Sequence, residues 1–464
     1  MGRKSSRDPD SAESSPTLPA LKTPIPGPRS LEIFAAERAY LGPSRQKITL
    51  LAQIAFENGH GATLTDADGN VYLDFVAGIG VASLGHGRKD LARALSAQAE
   101  RLIVGSFANR TRLRALQRLS ELLPSYLGAI SLFSGGAEAV EAALRVARSY
   151  TGKHEVVGFW GAFHGKTGAV LGLAGDGSKK GYGPFSSGQY VIPYADCYRC
   201  AFRMSYPSCG LYCVEFARRY IDQVSAGAVS AILVEPCQAT TGNVVPPDDY
   251  LPALKKVARE KGALLIVDEM ITGAGRTGRM WAIEHSGVEP DVMTIGKGIG
   301  GGFPVSATVC RPELVERGPF SLPGSASSSY GGNPLAAAAL EHTLRVIVEE
   351  RLVENAREVG AILLNGLREL MEEFPFIGDV RGRGLLIGID FVRNRKTKEP
   401  LGQKTMHFIF SEALKRGLLT MGYSARMRIN PPLVLSAEQA QAGLAILRDV
   451  FKLVERSISW RTEN

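Results

Sequence analysis

DDYLPALKKVAREKG (248–262) followed at once by ALLIVDE (263–269) decides the fold. The first segment is amphipathic at helical spacing. The second is a continuous apolar run closed by two carboxylates, as a strand buried on both faces requires. A helix feeding such a strand is one turn of an alternating α/β chain, and the same alternation recurs. AISLFSGG (129–136) runs into AEAVEAALRVARSY (137–150), whose apolar residues return at helical intervals, while HEVVGFW (154–160) and SAILVEP (230–236) are further buried strands. The pattern predicts a mainly parallel sheet covered by helices. Ligands on such sheets bind beyond the carboxyl ends of the strands, where Asp268 and Glu235 would stand.

Outward from this centre the pattern changes. FENGHGATLTDADGNVYLDFVAGIG (56–80) predicts short strands joined by turns at Asn58-Gly59 and Asp68-Gly69-Asn70. PLAAAALEHTLRVIVEER (334–351) opens a helical region reaching about Phe374. LLIGIDFV (385–392) alternates as a half-buried strand and TMHFIFSEALKRG (405–417) is helical, which together predict a smaller α+β domain. No internal repeat is present. The expected division is a disordered or extended tail over 1–30, rich in Ser, Pro and charge, and an N-terminal segment over 31–88 packing with the small domain. A large domain over 89–336 and the small domain over 337–464 complete it.

The 464 residues suffice for two or three domains, and 45% hydrophobic with 22% charged residues is ordinary for a globular enzyme. A formal charge of +8 is modest for this length. Without basic runs interleaved with aromatics it does not predict nucleic-acid binding. No stretch approaches the ~20 apolar residues of a membrane helix, and no apolar leader follows the start, so a cytoplasmic protein is expected.

Lys297 lies in TIGKGIGGGFP (294–304), between an expected strand and a glycine-rich loop. A lone lysine in a loop carries no information, nor does an aspartate after a strand. Together Lys297 and Asp268 resemble the site of pyridoxal phosphate (PLP) enzymes, where a lysine forms a Schiff base and a carboxylate partners the pyridinium nitrogen. FSGGAEAVEAA (133–143) adds two glycines where a strand gives way to a helix, a place suited to a phosphate or simply to a tight turn.

With SGGAEAVEAALRVAR, GAFHGKTG, VEPCQ, IVDEMITGAGRTGRMWA, PDVMTIGKGIGGGFP, SYGGNPLAAA and RINPPLV in this order between about residues 56 and 434, the chain resembles the class-III (ω-type, 4-aminobutyrate-like) aminotransferases. The resemblance implies PLP fold type I: an α/β large domain with a mainly parallel seven-stranded sheet, plus a smaller α+β domain. It also implies a homodimer or dimer of dimers with shared active sites. Lys297 is then the Schiff-base lysine and proton shuttle, and Asp268 the partner of the ring nitrogen. Phe163 stacks on one ring face and Met270 packs on the other. Gly136 and Ala137 bind the phosphate, which Ser329 reaches from the partner subunit, and Gln238 lies near the phenolic oxygen. Arg428 is the clamp for a substrate carboxylate. Singly, Phe163 and Met270 would be core residues and Arg428 a surface ion pair; the ordered set gives them roles. His164 is left structural.

Two positions depart from the resembled pattern. Thr240 stands where relatives acting on 4-aminobutyrate or ornithine carry a glutamate that parks the carboxylate-binding arginine, and where related racemases carry an aspartate as second base. Ile79 stands where ornithine-type enzymes carry Tyr and dialkylglycine decarboxylases Gln. The substrate clues therefore conflict. Cys197, Cys200, Cys209 and Cys213 form CYRC and CGLYC, a spacing that suits zinc, an iron–sulfur cluster or free thiols; no metal is assigned. The expected function is transamination from an ω-amino acid or similar amine to a 2-oxo acid such as 2-oxoglutarate or pyruvate. An amino-acid racemase on the same scaffold is the first alternative. A dialkylglycine decarboxylase and a metal- or redox-sensing protein follow.

Overall fold

The computed structural model describes residues 18–461; the part of the expected tail over residues 1–17 lies outside them. Seven strands form the central sheet, in the order Ala129–Phe133, Ser306–Cys310, Val292–Ile295, Leu264–Asp268, Val229–Val234, Glu155–Phe159 and Gln189–Ile192. All neighbours pair parallel except Ser306–Cys310, which is antiparallel to both of its own. The five inner strands are buried along their whole length, which explains their uninterrupted apolar sequences.

Alternate residues of one strand face different cores. Leu265 and Val267 pack in one cluster with Leu254 and Val257 of the Tyr250–Glu260 helix. Leu264 and Ile266 pack in another with Ala139 and Val140 of the Gly136–Thr151 helix. Each fully buried aliphatic chain contributes about 1.5–3 kcal/mol, so the period-2 alternation holds a helix on either face of the sheet.

Ile377–Arg383, Leu386–Asn394 and Arg426–Ile429 form an antiparallel sheet, with Leu386–Asn394 in the middle. The helices Leu352–Glu373 and Ala437–Arg456 pack with it. A third sheet joins Phe56–His60, Thr63–Asp66 and Val71–Asp74 to Leu418–Leu419 from the other end of the chain. Within the expected tail, Ala20 bridges Val71 and a helix begins at Pro28, its Arg29 and Ser30 N–H groups held by Asp68 at 2.9 Å.

Two local expectations are corrected. The first hairpin does not turn at Asn58-Gly59, which lie within a strand paired to Leu64 and Thr65. The turn follows His60, and Gly61 takes the left-handed conformation. A Cβ at Gly59 would stand 2.4 Å from the His86 Cβ, so that glycine serves close packing rather than the turn. The helical region from Pro334 is two helices, Pro334–Glu349 and Leu352–Glu373, broken where Arg351 adopts φ 54°.

Candidate active site

Asp268 ends its strand at the carboxyl edge of the central sheet and is almost wholly buried. Its Oδ2 lies 2.7 Å from His164 Nδ1 and its Oδ1 accepts the Met270 N–H at 3.0 Å. An ionised carboxylate only accepts, so Nδ1 of His164 carries the hydrogen. Lys297 follows the neighbouring strand Val292–Ile295 across Gly296 and sits at φ 46°, in the left-handed region. A side chain there costs on the order of 1–3 kcal/mol, strain of the kind that folds retain at functional positions. A Cβ at Gly296 would meet Met270 Sδ at 2.5 Å, so a larger residue would push Met270 aside. A cavity of about 340 Å³ is lined by Lys297, Asp268, Met270, Phe163, Gly136 and Ala137.

The charges around this cavity act on one another. Burial pulls the Lys297 amine below the ordinary lysine range; the charges of Asp268 and Glu235 oppose that, and Arg428 adds to it. Burial pushes Glu235 up to about 7, aided by Asp268. The His164 charge and the N–H groups of Phe163 (3.0 Å) and Ala239 (3.2 Å) hold it down. Burial works against a charge on His164, but its bond to Asp268 and the charges of Asp268 and Glu235 outweigh that and raise its pKa. Sequence reasoning missed the His164–Asp268 contact. The only signal was the position of His164 beside Phe163 at a strand end.

At the start of the Gly136–Thr151 helix, Glu138 accepts the N–H groups of Ser134 (3.1 Å) and Gly135 (2.6 Å). The next two, on Gly136 and Ala137, have no acceptor among the described residues and face the cavity.

The remaining expected site residues do not line this cavity. Gln238 is buried, donating to Trp160 O at 2.8 Å. Thr240 is half-buried in the turn Ala239–Asn243, and Ile79 sits at φ 67° in the Ala77–Gly80 turn. Ser329 lines a second cavity of about 570 Å³, with Arg112 and Gly331, and not the one holding Lys297. Arg428 lies on the strand Arg426–Ile429, half-buried, its charge felt at Lys297. It has no ion-pair partner among the described residues.

A family model described as aminotransferase class-III matches residues 45–451. The chain belongs to the class-III aminotransferase family. It is 34% identical over 419 residues to the leucine/methionine racemase of Thermococcus litoralis, covering 89% of this chain and 94% of that protein. It is 34% identical over 399 residues to the probable 4-aminobutyrate aminotransferase of Bacillus subtilis, covering 84% and 91%. Among solved structures it superposes on a PLP-bound amine transaminase from an uncultivated Pseudomonas species with a TM-score of 0.84, at 29% identity, covering 90% of this chain and 99% of that one.

This class-III enzyme is therefore a PLP-dependent aminotransferase of fold type I. Its site fits the cofactor on its own chemistry. An amine without a hydrogen-bond partner among the described residues shares the cavity with an anchored carboxylate. Two free N–H groups mark the helix start where an anion is favoured.

Apart from that site, the aminotransferase carries Cys197, Cys200, Cys209 and Cys213 as free thiols around one small cavity of about 20 Å³. Burial and the neighbouring sulfurs push Cys197 up to about 11 and Cys213 up to about 12, so neither is an activated thiolate. Among the described residues no three metal-ligating side chains are gathered for an ion. Among them, too, no helix is long and apolar enough to cross a membrane.

Proposed function

We propose that this aminotransferase moves an amino group from an ω-amino acid or related amine, of the 4-aminobutyrate kind, to a 2-oxo acid such as 2-oxoglutarate or pyruvate. It does so as a homodimer or dimer of dimers with shared active sites. The observation that carries the reading is Arg428, a guanidinium near Lys297 with no anion of its own among the described residues. A planar, unengaged cation whose charge reaches the reacting amine is suited to take the carboxylate of an oxo acid. PLP, when bound, supplies a carbonyl that takes up the amino group and a ring that accepts electrons from the substrate carbon.

The chain's own residues do the rest. Lys297, its pKa lowered by burial, carries a proton to and from the substrate Cα. Asp268, oriented by His164 and the Met270 N–H, keeps the ring nitrogen protonated. Phe163 and Met270 flank the ring, and Gly136 and Ala137 offer N–H groups to the phosphate. Ser329 adds a hydroxyl from the partner subunit, and Gln238 lies toward the phenolic oxygen. Ile79 and Thr240 border the substrate.

A second reading has specific support. Thr240 offers Arg428 no carboxylate to park against, so Arg428 is as free for an α-amino acid as for an oxo acid. The likeness to a leucine/methionine racemase is as high as that to a 4-aminobutyrate enzyme. One experiment separates the two. The PLP-loaded enzyme is mixed, without oxo acid, with 4-aminobutyrate, ornithine, putrescine, L-alanine, L-leucine or D-leucine in turn. One equivalent of oxo product per site from one of these donors supports transamination and names its class. Loss of enantiomeric purity in leucine without oxo product overturns it in favour of racemisation.

A further inference from the structure

The antiparallel sheet that carries Arg428 places a set of charges on one face. Register sets Asp379 and Arg426 opposite Asp390, and Arg381 and Arg428 opposite Gly388. Residues opposite one another share a face, so these six positions form a single patch. Asp390 is fully buried and engages Arg381 (2.6 Å), Arg199 (2.6 Å) and Arg426 (3.3 Å). Asp379 takes Arg381 at 2.6 Å, and Asp196 takes Arg426. Three guanidiniums, those of Arg199, Arg381 and Arg426, thus meet three carboxylates, and the fourth, that of Arg428, is left over among the described residues.

The gap at Gly388 is filled by another part of the chain. A Cβ at Gly388 would stand 2.1 Å from Gly242 O, and one at Gly242 would meet the Arg426 Cβ at 2.8 Å and Arg381 Nη2 at 3.0 Å. The Ala239–Asn243 turn, which carries Thr240, is therefore seated between Arg381 and Arg426. Arg381 Nη2 donates to Gly242 O at 2.6 Å, and Asn243 Nδ2 donates to Ile387 O at 2.7 Å. Arg381 thus joins the turn to the sheet while two carboxylates fix its guanidinium.

We propose that Arg381 is a positioning residue for substrate selection: held by Asp379 and Asp390, it clamps the Ala239–Asn243 turn over Gly388 and so sets the room beside Arg428 for a substrate carboxylate. The inference rests on the reading of Arg428 as the carboxylate site. A fork with three acceptors is needed for this; lysine reaches the carboxylates or the carbonyl, not all at once.

The test is the Kd of glutarate, an unreactive dicarboxylate, measured by calorimetry on PLP-loaded enzyme, with cofactor content and Tm recorded for each variant. Arg381→Gln is expected to raise the Kd about three- to tenfold, the size of effect that indirect contacts exert, with full cofactor content. Arg381→Lys should fall between the two, and it decides the matter if Arg381→Gln does not fold. Arg428→Gln, the control, should raise the Kd further. An unchanged Kd in Arg381→Gln beside a raised one in Arg428→Gln overturns this inference alone. An unchanged Kd in Arg428→Gln removes the reading of Arg428, and the inference with it. Loss of cofactor in step with the Kd, without rescue by lysine, would mark Arg381 as merely structural and overturn it too.

Discussion

The two ends of this site are built on opposite terms. At the sheet edge, Asp268, His164 and Glu235 are buried and hold one another, or backbone N–H groups, within 2.7–3.2 Å. At the antiparallel sheet the charges are more numerous, yet one guanidinium, that of Arg428, is left without an anion among the described residues. On the proposed function, the difference follows from what each end would bind. A resident cofactor is met by one preorganised set of partners, so saturation costs nothing in function. A substrate that comes and goes needs an unengaged charge. That charge is tolerable only because Arg428 is half-buried and its neighbours are neutralised by Asp379, Asp390 and Asp196.

The strongest attack on the saturated end is Lys297→Ala. It removes the one lysine that lines the cavity among the described residues, so turnover should fall ~10²–10⁴-fold or more while the Tm of the cofactor-free protein holds. Single-turnover rates with bound cofactor and thermal melts without it read both. Retained turnover would mean that some other group moves the proton, and the contrast between the ends would lose its chemical basis.

At the open end the corresponding change is Arg428→Gln. The KM for the oxo acid should rise roughly ten- to hundredfold, the range of a charge-assisted pair, with the maximal rate kept. A donor without a carboxylate should keep its KM. If both KM values rise together, Arg428 serves the general shape of the site rather than a carboxylate.

This contrast also explains which parts were legible in the sequence. The strands Val229–Val234 and Leu264–Asp268 are buried along their whole length, so their residues had to be apolar and the runs were plain. Local features decided by distant packing were not. Gly59 reads as a turn residue until His86, far along the chain, fills the space a side chain would need. The break at Arg351 carries neither proline nor glycine to announce it. Within the site, Lys297 and Asp268 stood out through motif context. The bond from His164 spans 104 residues to Asp268, and Arg199 reaches across 191 residues to Asp390. Pairings of that kind are set by the fold, and no local pattern of residue types carries them.

The finest test concerns a member of the saturated end whose charge state changes near neutrality. Glu235 has its pKa raised to about 7 by burial, above a carboxylate's ordinary value of 4.5. A group raised on folding contributes stability that is fully present below its unfolded pKa and is lost as pH rises through the folded one. Glu235 should therefore favour the folded state at pH 4.5 and cease to do so by pH 7, with the loss spread over that interval. Glu235→Gln keeps the shape and removes the titration. Its amide opposes two N–H donors with a single acceptor oxygen, so the variant carries a constant cost at every pH. The informative quantity is then the slope of the Tm difference, not its absolute value. Variant minus parent should climb by a few degrees between about pH 5 and pH 8. The cofactor's own pH dependence largely cancels in that difference. A flat difference would mean that Glu235 stays ionised throughout, balanced by a charged His164, and the sheet edge would then hold a permanent ion cluster of the kind Asp390 makes with its arginines.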